Sequence, residues 1–407
     1  MRVPRVGAES DRRPRLRARG GRVIMPALPF RLPPPAAGRV DVLIVAGEHS
    51  GDQHAAAMVR ALRSREPQVQ VCALGGPELQ RAGAQLLYDL TASSVVGLIE
   101  VLKNYSFFKA LFAAALEWIE THRPKVVCFI DYPGFNLRLA RALHERRLAV
   151  KAGGFAKLLF YISPQIWAWK SGRRFAMAQH LDALAVIFPF EVGCYRDTSL
   201  PVTFVGHPFL ENGHESPVFY DPDGPILLLP GSREQAVRRI FPVILAGYTA
   251  VATDRPAVVL YPSAEIRHVL ESVPRPRSVR LERGGSRALG ASAVLTSSGT
   301  MSMHCALAGI PGAIAYRANP LTYFIGRRLV KVPYLGIANL LLNEPMYPEY
   351  LQNAATPTAL ARELRSSLEE PARRERTAQQ ATRLREILSA PAAMNPAAWL
   401  QQYLAAN

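Results

Sequence analysis

Pro230-Gly231-Ser232-Arg233 separates an apolar run, 225–229, from a segment of helical spacing over 234–253. A buried strand, a glycine turn and a helix in that order belong to an α/β layer, and they also describe a phosphate cradle. Backbone N–H groups at a helix N-terminus point at an anion, glycine lets the chain approach it closely, and arginine adds a forked, permanently charged donor. Many α/β proteins use such a turn only to reverse the chain, so alone it leaves phosphate binding open. A second cluster, Ser297-Ser298-Gly299-Thr300, follows the apolar run 291–295 and precedes helical spacing over 301–308. Two such turns in one half-chain suit the two ends of a nucleotide diphosphate, although Ser298 and Thr300 are equally placed to be ordinary helix N-caps.

The same alternation recurs upstream. Strand-like runs at 40–45, 69–74, 126–130, 158–162 and 183–187 are separated by helix-length segments, which predicts a parallel sheet covered by helices. After Phe204-Val205-Gly206-His207-Pro208 the chain is rich in Pro, Gly and Asp as far as Gly224, and the alternation restarts at Ile226. Two doubly wound domains facing across a cleft are therefore expected, over 40–210 and 224–376. With 407 residues, 49% of them hydrophobic, the chain can fill two cores. Residues 377–407 are expected to form C-terminal helices that pack back on the first domain.

The net charge of +17 is unevenly distributed. Residues 1–39 hold ten arginines against Glu9 and Asp11, and read as a disordered basic tail or as sequence ahead of an alternative start at Met25. The remainder carries 39 basic and 30 acidic residues, a moderate excess suited to phosphorylated ligands or an anionic membrane surface rather than to nucleic acid. Cys72, Cys128, Cys194 and Cys305 lack metal-site or disulfide-framework spacing, which points to a reducing compartment. No apolar run reaches membrane-spanning length. The stretch 95–112, VVGLIEVLKNYSFFKALF, has only Glu100, Lys103 and Lys109 charged. Its apolar residues, Val95, Val96, Leu98, Ile99, Leu102, Phe107 and Phe108, fit either core packing or docking into a membrane surface.

Candidates for chemistry lie at strand ends. Asp131 follows the run 126–130, where open α/β sheets hold ligands. A carboxylate there can take a proton from a sugar hydroxyl, or can merely bind turn amides. Glu48 raises the same question after the first strand, in Ala46-Gly47-Glu48-His49-Ser50-Gly51-Asp52. His49 is a third possible base, while Ser50 and Asp52 can serve as helix caps. Trp167 and Trp169, in Ser163-Pro164-Gln165-Ile166-Trp167-Ala168-Trp169-Lys170, suit a rigid aromatic wall under an acyl chain or sugar, or plain packing.

In their order, these motifs resemble the lipid A disaccharide synthases, glycosyltransferases that join two acylated glucosamines in lipopolysaccharide synthesis. The resemblance extends over about 42–361. It includes AGEHSGD from Ala46, VVGLIEVL from Val95, IDYPGFNLRLA from Ile130, SPQIWAWK from Ser163 and FPFE from Phe188. FVGHP from Phe204, LLPGSR from Leu228, SSGT from Ser297 and RRLVKVPYLGIANLL from Arg327 continue it. The resemblance implies a GT-B fold with the acceptor on the N-terminal domain and UDP on the C-terminal one. The implied reaction joins UDP-2,3-diacylglucosamine to 2,3-diacylglucosamine 1-phosphate as a β-1,6 disaccharide, with inversion and release of UDP. Asp131 matches the family's essential aspartate, and Glu48 a glutamate near it. Arg233, Gly231, Ser232, Ser298, Gly299 and Thr300 would hold the departing diphosphate, making metal or another cofactor dispensable. Asn339 and Gln352 would add donor contacts, and His49, Ser50, Trp167 and Trp169 acceptor contacts. Because both implied substrates carry acyl chains, the resemblance favours the membrane-surface reading of Val95, Val96, Leu98, Ile99, Leu102, Phe107 and Phe108, with peripheral association at the inner face of the inner membrane. A homodimer is also implied.

Two positions depart from the family pattern. His304, among the expected donor contacts, stands where a glutamate usually accepts ribose hydroxyls, and neutral histidine offers one acceptor nitrogen. His49 replaces a residue that is commonly small. Another UDP-sugar transferase or epimerase of the same fold, or a non-catalytic lipid-binding paralogue, are the alternatives.

Overall fold

VLIVA at Val42–Ala46 and VVCFI at Val126–Ile130 are buried along their whole length, as central strands of a parallel sheet with both faces covered must be. The computed structural model of the chain describes residues 31–94, 105–211, 214–285, 287–319, 323 and 332–405. The first sheet comprises β1 (Val42–Ala46), β2 (Val71–Gly75), β3 (Gln85–Asp89), β4 (Val126–Ile130), β5 (Lys157–Tyr161), β6 (Ala183–Val186) and β7 (Val202–Phe204), in the order β3-β2-β1-β4-β5-β6-β7. A short β8 (Val218–Tyr220) follows. The second sheet comprises β9 (Ile226–Leu229), β10 (Ala257–Tyr261), β11 (Val279–Arg283), β13 (Ala293–Thr296), β14 (Gly312–Tyr316) and β15 (Glu349–Leu351), in the order β11-β10-β9-β13-β14-β15. β12 (Leu289–Ala291) pairs with β8 as a separate ribbon.

Each pairing in these sheets is parallel, and in each the strand order reverses once, between β1 and β4 and between β9 and β13. At such a point the two loops leave the sheet in opposite directions and open a crevice beyond the carboxyl ends of the strands. Gly47-Glu48 and Asp131 flank the first crevice. Residues 230–233 and 297–300 flank the second.

Side chains sort by the two-residue period of a strand. Leu43, Val45, Val127 and Phe129 enter one core, whereas Val42, Ile44, Ala46 and Cys128 enter another. That second core continues through Val205 into Leu227, Leu229 and Val294 of the second sheet, so the inner faces of both layers share one apolar cluster. The remaining face of the second sheet has its own core, centred on Phe241, Ile244 and Leu295.

Two expectations need correction here. The helix containing 377–388 spans Pro371–Leu388 and packs against the second layer, not the first. Arg373 donates to the carbonyls of Gly312 and Met346, at 2.9 and 3.1 Å, and Arg385 to that of Leu307 at 2.6 Å. These bonds align its buried face with the second sheet. The following helix, Pro396–Ala405, is the one that reaches the first layer, lying on the helix His49–Arg65. Gln401 there donates to Glu66 at 2.8 Å, and Lys157 to the carbonyl of Tyr403 at 3.0 Å. Of the apolar stretch, Val95, Val96, Leu98, Ile99 and Leu102 lie outside the described residues. Phe107 and Phe108, on the helix Tyr105–His122, are half-buried and pack on the outer core of the first sheet, with Phe107 5.8 Å from Tyr88. Core packing thus accounts for that pair. Among the described residues no helix is long and apolar enough to cross a membrane.

Trp399 is 0% exposed, and its indole nitrogen has no hydrogen-bond partner. Truncating it empties a large volume, whereas phenylalanine keeps most of the packing and removes an unpaired donor. Trp399→Ala is expected to cost about 3–5 kcal/mol and Trp399→Phe markedly less, as read from thermal or urea unfolding of the two variants.

Candidate active site

The first crevice is built by two interlocked loops. Glu48 leaves β1 in extended backbone and precedes the helix His49–Arg65 without capping it. Asp52, one turn into that helix, is 0% exposed and turns inward. Its carboxylate accepts the N–H groups of Gly76, Glu78 and Leu79 at 2.8, 2.9 and 3.3 Å, capping the short helix Pro77–Arg81 beyond β2. A Cβ on Gly76 would stand 2.5 Å from that carboxylate, which explains the glycine. Asp52 is therefore a cap, but of a neighbouring helix. On the other side, the ring of Tyr132 lies against Gly47, where an added Cβ would be 2.1 Å from a ring carbon.

Asp131 and Tyr132 both adopt left-handed backbone, with φ of 42° and 50°. Non-glycine residues in this region store of order 1–2 kcal/mol each. Asn136 offsets that cost, since its buried amide donates to the carbonyls of Asp131, Ile130 and Val45 at 2.7, 3.2 and 3.2 Å. The Asp131 N–H is tied to Tyr161 across the sheet at 2.9 Å. The result holds the Asp131 carboxyl within the electrostatic reach of Glu48. Burial, then the Glu48 carboxylate, push its pKa up to about 7, against the Tyr132 N–H and Arg233, which pull it down.

The second crevice faces the first. Arg233 immediately precedes the helix Glu234–Val251 and reaches Glu48 at 3.6 Å, so groups from the two sheets meet across the cleft. The Arg233 side chain is 80% exposed. Such a pair is worth under about 1 kcal/mol and an incoming anion displaces it easily. Gly231 has a φ of 110°, and a Cβ there would lie 3.0 Å from the Ser297 hydroxyl, so the turns 230–233 and 297–300 nest together. Ser232, Gly299 and Thr300 are exposed, and Ser298 is half-buried. Gly299, rather than Ser298 or Thr300, precedes the helix Thr300–Leu307; the Ser302 hydroxyl accepts the Gly299 N–H at 3.3 Å, and no cap comes from Ser298 or Thr300. Arg233 likewise makes no side-chain cap. Both helix starts thus keep N–H groups free for an anion.

Several expected contacts sit elsewhere. His304 is 6% exposed and its ring stacks on Phe209 at 3.8 Å and beside His214 at 5.4 Å. Burial, with His214 and His54, lowers its pKa to about 4. It is an uncharged packing group against the connection between the sheets, not an exposed ribose contact. Asn339 is 0% exposed. Its amide is consumed by both backbone groups of Tyr347, at 2.7 and 2.9 Å, and by Glu349 at 2.9 Å. Glu349 in turn holds the N–H groups of Leu335 and Gly336, so Asn339 shapes a turn and has no side-chain donor left for a ligand. Gln352 stands at the end of β15 beside Ala318, whose N–H it accepts at 3.3 Å. His49 is exposed, 3.4 Å from Gln53, and Ser50 is half-buried.

The tryptophans divide. Trp169 is 36% exposed and its ring is covered by Lys170 and Arg173, at 4.6 and 4.8 Å, so it does not join the buried wall. Trp167 is half-buried, meets Phe190 edge-to-face at 5.6 Å and donates its indole N–H to Glu191 at 3.2 Å. Glu191 and Asn136 are the residues that sequence reasoning missed as parts of this site. Their signal was present, since each lies inside a motif, FPFE and IDYPGFN, but nothing local showed what either would bind. Glu191 is 1% exposed and also accepts the Phe188 N–H at 3.2 Å. Burial raises its pKa to about 8 from an ordinary 4.5, opposed by the Phe188 and Trp167 donors.

A carboxyl raised on folding contributes stability that is fully present below its unfolded pKa and lost as pH rises through the folded value. For Glu191 the window runs from 4.5 to about 8. Glu191→Gln cannot ionise, so its unfolding free energy relative to wild type is expected to rise by on the order of 2–4 kcal/mol between about pH 5 and about pH 9. Melting temperatures at the two pH values check this, and a constant difference would count against a proton held on Glu191.

Comparison with known proteins agrees with this geometry. The family described as lipid-A-disaccharide synthetase matches residues 42–402. A lipid-A-disaccharide synthase of Geobacter metallireducens is 35% identical over 363 residues, covering 85% of this chain and 92% of the relative. One from Trichlorobacter lovleyi is 37% identical over 339 residues, covering 79% and 86%. Among solved structures, the kitacinnamycin glycotransferase superposes with a TM-score of 0.56 at 15% identity, covering 90% of this chain and 99% of that one. The UDP-GlcNAc 2-epimerase of Neisseria meningitidis gives 0.53 at 11%, covering 86% and 99%. These structural likenesses show the fold alone, the two facing doubly wound layers of the GT-B type. The family match and the identity to its synthases over most of their length show that the chain belongs to the lipid-A-disaccharide synthetase family.

Proposed function

We propose that the chain is an inverting glycosyltransferase that joins UDP-2,3-diacylglucosamine to 2,3-diacylglucosamine 1-phosphate, giving a β-1,6-linked disaccharide 1-phosphate and UDP. Asp131 takes the proton of the acceptor 6-hydroxyl as that oxygen bonds to the donor anomeric carbon from the face opposite the diphosphate. The bond from that carbon to the diphosphate oxygen breaks, and its electron pair leaves with UDP. Arg233 and the free N–H groups of the 230–233 and 297–300 turns stabilise the charge that develops there. The observation that carries this reading is the meeting of the two crevices, where Arg233 of the second reaches Glu48 of the first at 3.6 Å beside the Asp131 strand end; burial and Glu48 raise the Asp131 carboxyl pKa to about 7. A base is most effective when its pKa lies near the working pH.

Glu48 raises the basicity of Asp131, and Arg233 opposes it until a diphosphate draws the guanidinium away. Donor binding therefore strengthens the base at the moment it is needed. Trp167, oriented by Glu191, offers an apolar wall to an acyl chain or sugar face. Both substrates are acylated in this reading, so the protein meets them at the inner face of the inner membrane, where its excess of basic residues favours anionic lipid.

UDP release by purified protein with both acylated substrates in detergent tests the assignment. Asp131→Ala is expected to lower kcat by about 10²–10⁴-fold, and turnover close to wild type in that variant would remove Asp131 as base. The acid limb of kcat/KM should lie near pH 7, since the base must be ionised. Glu48→Gln deletes a charge that raises this pKa, so the limb should move to lower pH.

A further inference from the structure

The carboxyl edge of the second sheet continues past the two glycine turns. Tyr316 of β14 and Leu351 of β15 are register partners, so the next residues, Arg317 and Gln352, leave adjacent strand ends side by side. Strands are spaced about 4.8 Å apart, which sets Arg317 one strand and Gln352 two strands beyond the 297–300 turn. With Arg239 of the helix Glu234–Val251, Ala318 and Asn353, they line a cavity of about 310 Å³.

Its chemistry is almost wholly that of hydrogen-bond donors with positive charge. Among the described residues neither Arg239 nor Arg317 forms an ion pair with a carboxylate. Arg317 is anchored by one bond, to the carbonyl of Ala355 at 2.7 Å, while its Nε is buried without a partner. Gln352 is held in left-handed backbone, φ 52°, and its Oε1 accepts the Ala318 N–H. That bond fixes the amide with Nε2 as the free end, and Nε2 is buried without a partner too. The buried Arg317 Nε and the oriented Gln352 amide donor are costly to leave unmatched, and half-exposed Arg239 adds a second positive charge. An anion with several acceptor oxygens satisfies all three, and phosphate matches the fork of a guanidinium. A neutral sugar hydroxyl would leave both charges uncompensated.

We propose that the Arg239–Arg317–Gln352 cavity is a second phosphate-binding position, separate from the diphosphate position at the glycine turns. The proposal rests on the transferase reading, which brings two phosphate-bearing substrates to one cleft. The glycine turns account for the diphosphate of the donor. The phosphate monoester of the acceptor is then the anion without a binding group, and the donor diphosphate extending one strand further is the other source of the same chemistry.

Arg239→Met and Arg317→Met, made singly in the full chain, separate these sources. Acceptor KM is measured with the 1-phosphate acceptor and with its dephosphorylated analogue, and UDP affinity by calorimetry. If the monoester binds here, each variant raises KM for the phosphorylated acceptor by about tenfold or more. KM for the analogue and UDP affinity then stay within about twofold, whereas Arg233→Met weakens UDP instead. If the donor supplies the phosphate, UDP affinity falls about tenfold in both cavity variants. The first outcome supports a separate phosphate position, whereas the second makes the cavity part of the donor diphosphate site and overturns its separateness. Folded variants that change neither quantity overturn the proposal as a whole. Should wild type release no UDP at all, the transferase reading fails separately. The cavity is then judged by inorganic phosphate, whose stabilisation of wild-type Tm should be lost in Arg239→Met and retained in Arg233→Met, and a Tm gain unchanged in Arg239→Met overturns the proposal.

Discussion

Parallel strands cannot be joined by tight turns, so each crossover leaves the sheet and returns through a helix. This constraint places every strand's carboxyl end on one edge and opens one crevice per sheet where the strand order reverses. Everything proposed for this chain uses those edges. Glu48 and Asp131 stand at the reversal in the first sheet, the two glycine turns at the reversal in the second, and Arg317 and Gln352 at the next two strand ends. The apolar cluster shared by the two sheets brings these edges together, and Arg233 and Glu48 meet there at 3.6 Å.

The site is assembled against local preference. Two successive left-handed residues, a half-buried carboxyl whose pKa Glu48 raises, and a helix start at Arg233 without a side-chain cap each cost stability. Asn136 offsets part of the first cost by tying three carbonyls of the loop, and the nesting of Tyr132 on Gly47 fixes the rest of it. The Tyr132 N–H and Arg233 relieve the Asp131 carboxyl only in part, and its raised pKa is the consequence that catalysis can use.

The connection between the sheets is held by an aromatic cluster rather than by charge. Phe209 stacks among His54, His207, His214 and His304, with ring centroids 3.8 to 6.2 Å away. Burial lowers all four histidines, His207 to about 3, and His207 Nδ1 accepts the Phe209 N–H at 3.2 Å, which requires the neutral ring. A glutamate at 304 would set an unpaired carboxylate against these rings. Histidine there fits the packing, because a ring that stays neutral stacks on Phe209 without an unpaired charge.

Strand runs, the glycine turns and a carboxylate just beyond a strand were legible in the sequence because each depends on a few adjacent residues. Asp131, Glu48 and Arg233 could be singled out in that way, and the alternation of strands and helices gave the doubly wound layers. The order of the motifs also pointed to the family. Other features were settled only by the tertiary structure. Asp52 caps a helix 25 residues away, Asn339 spends its amide on Tyr347 and Glu349, His304 turns to Phe209, and Pro371–Leu388 and Pro396–Ala405 choose opposite layers. The reason is physical: backbone form follows local sterics and periodicity, whereas a side chain's partner, its burial and hence its pKa depend on which distant element packs against it.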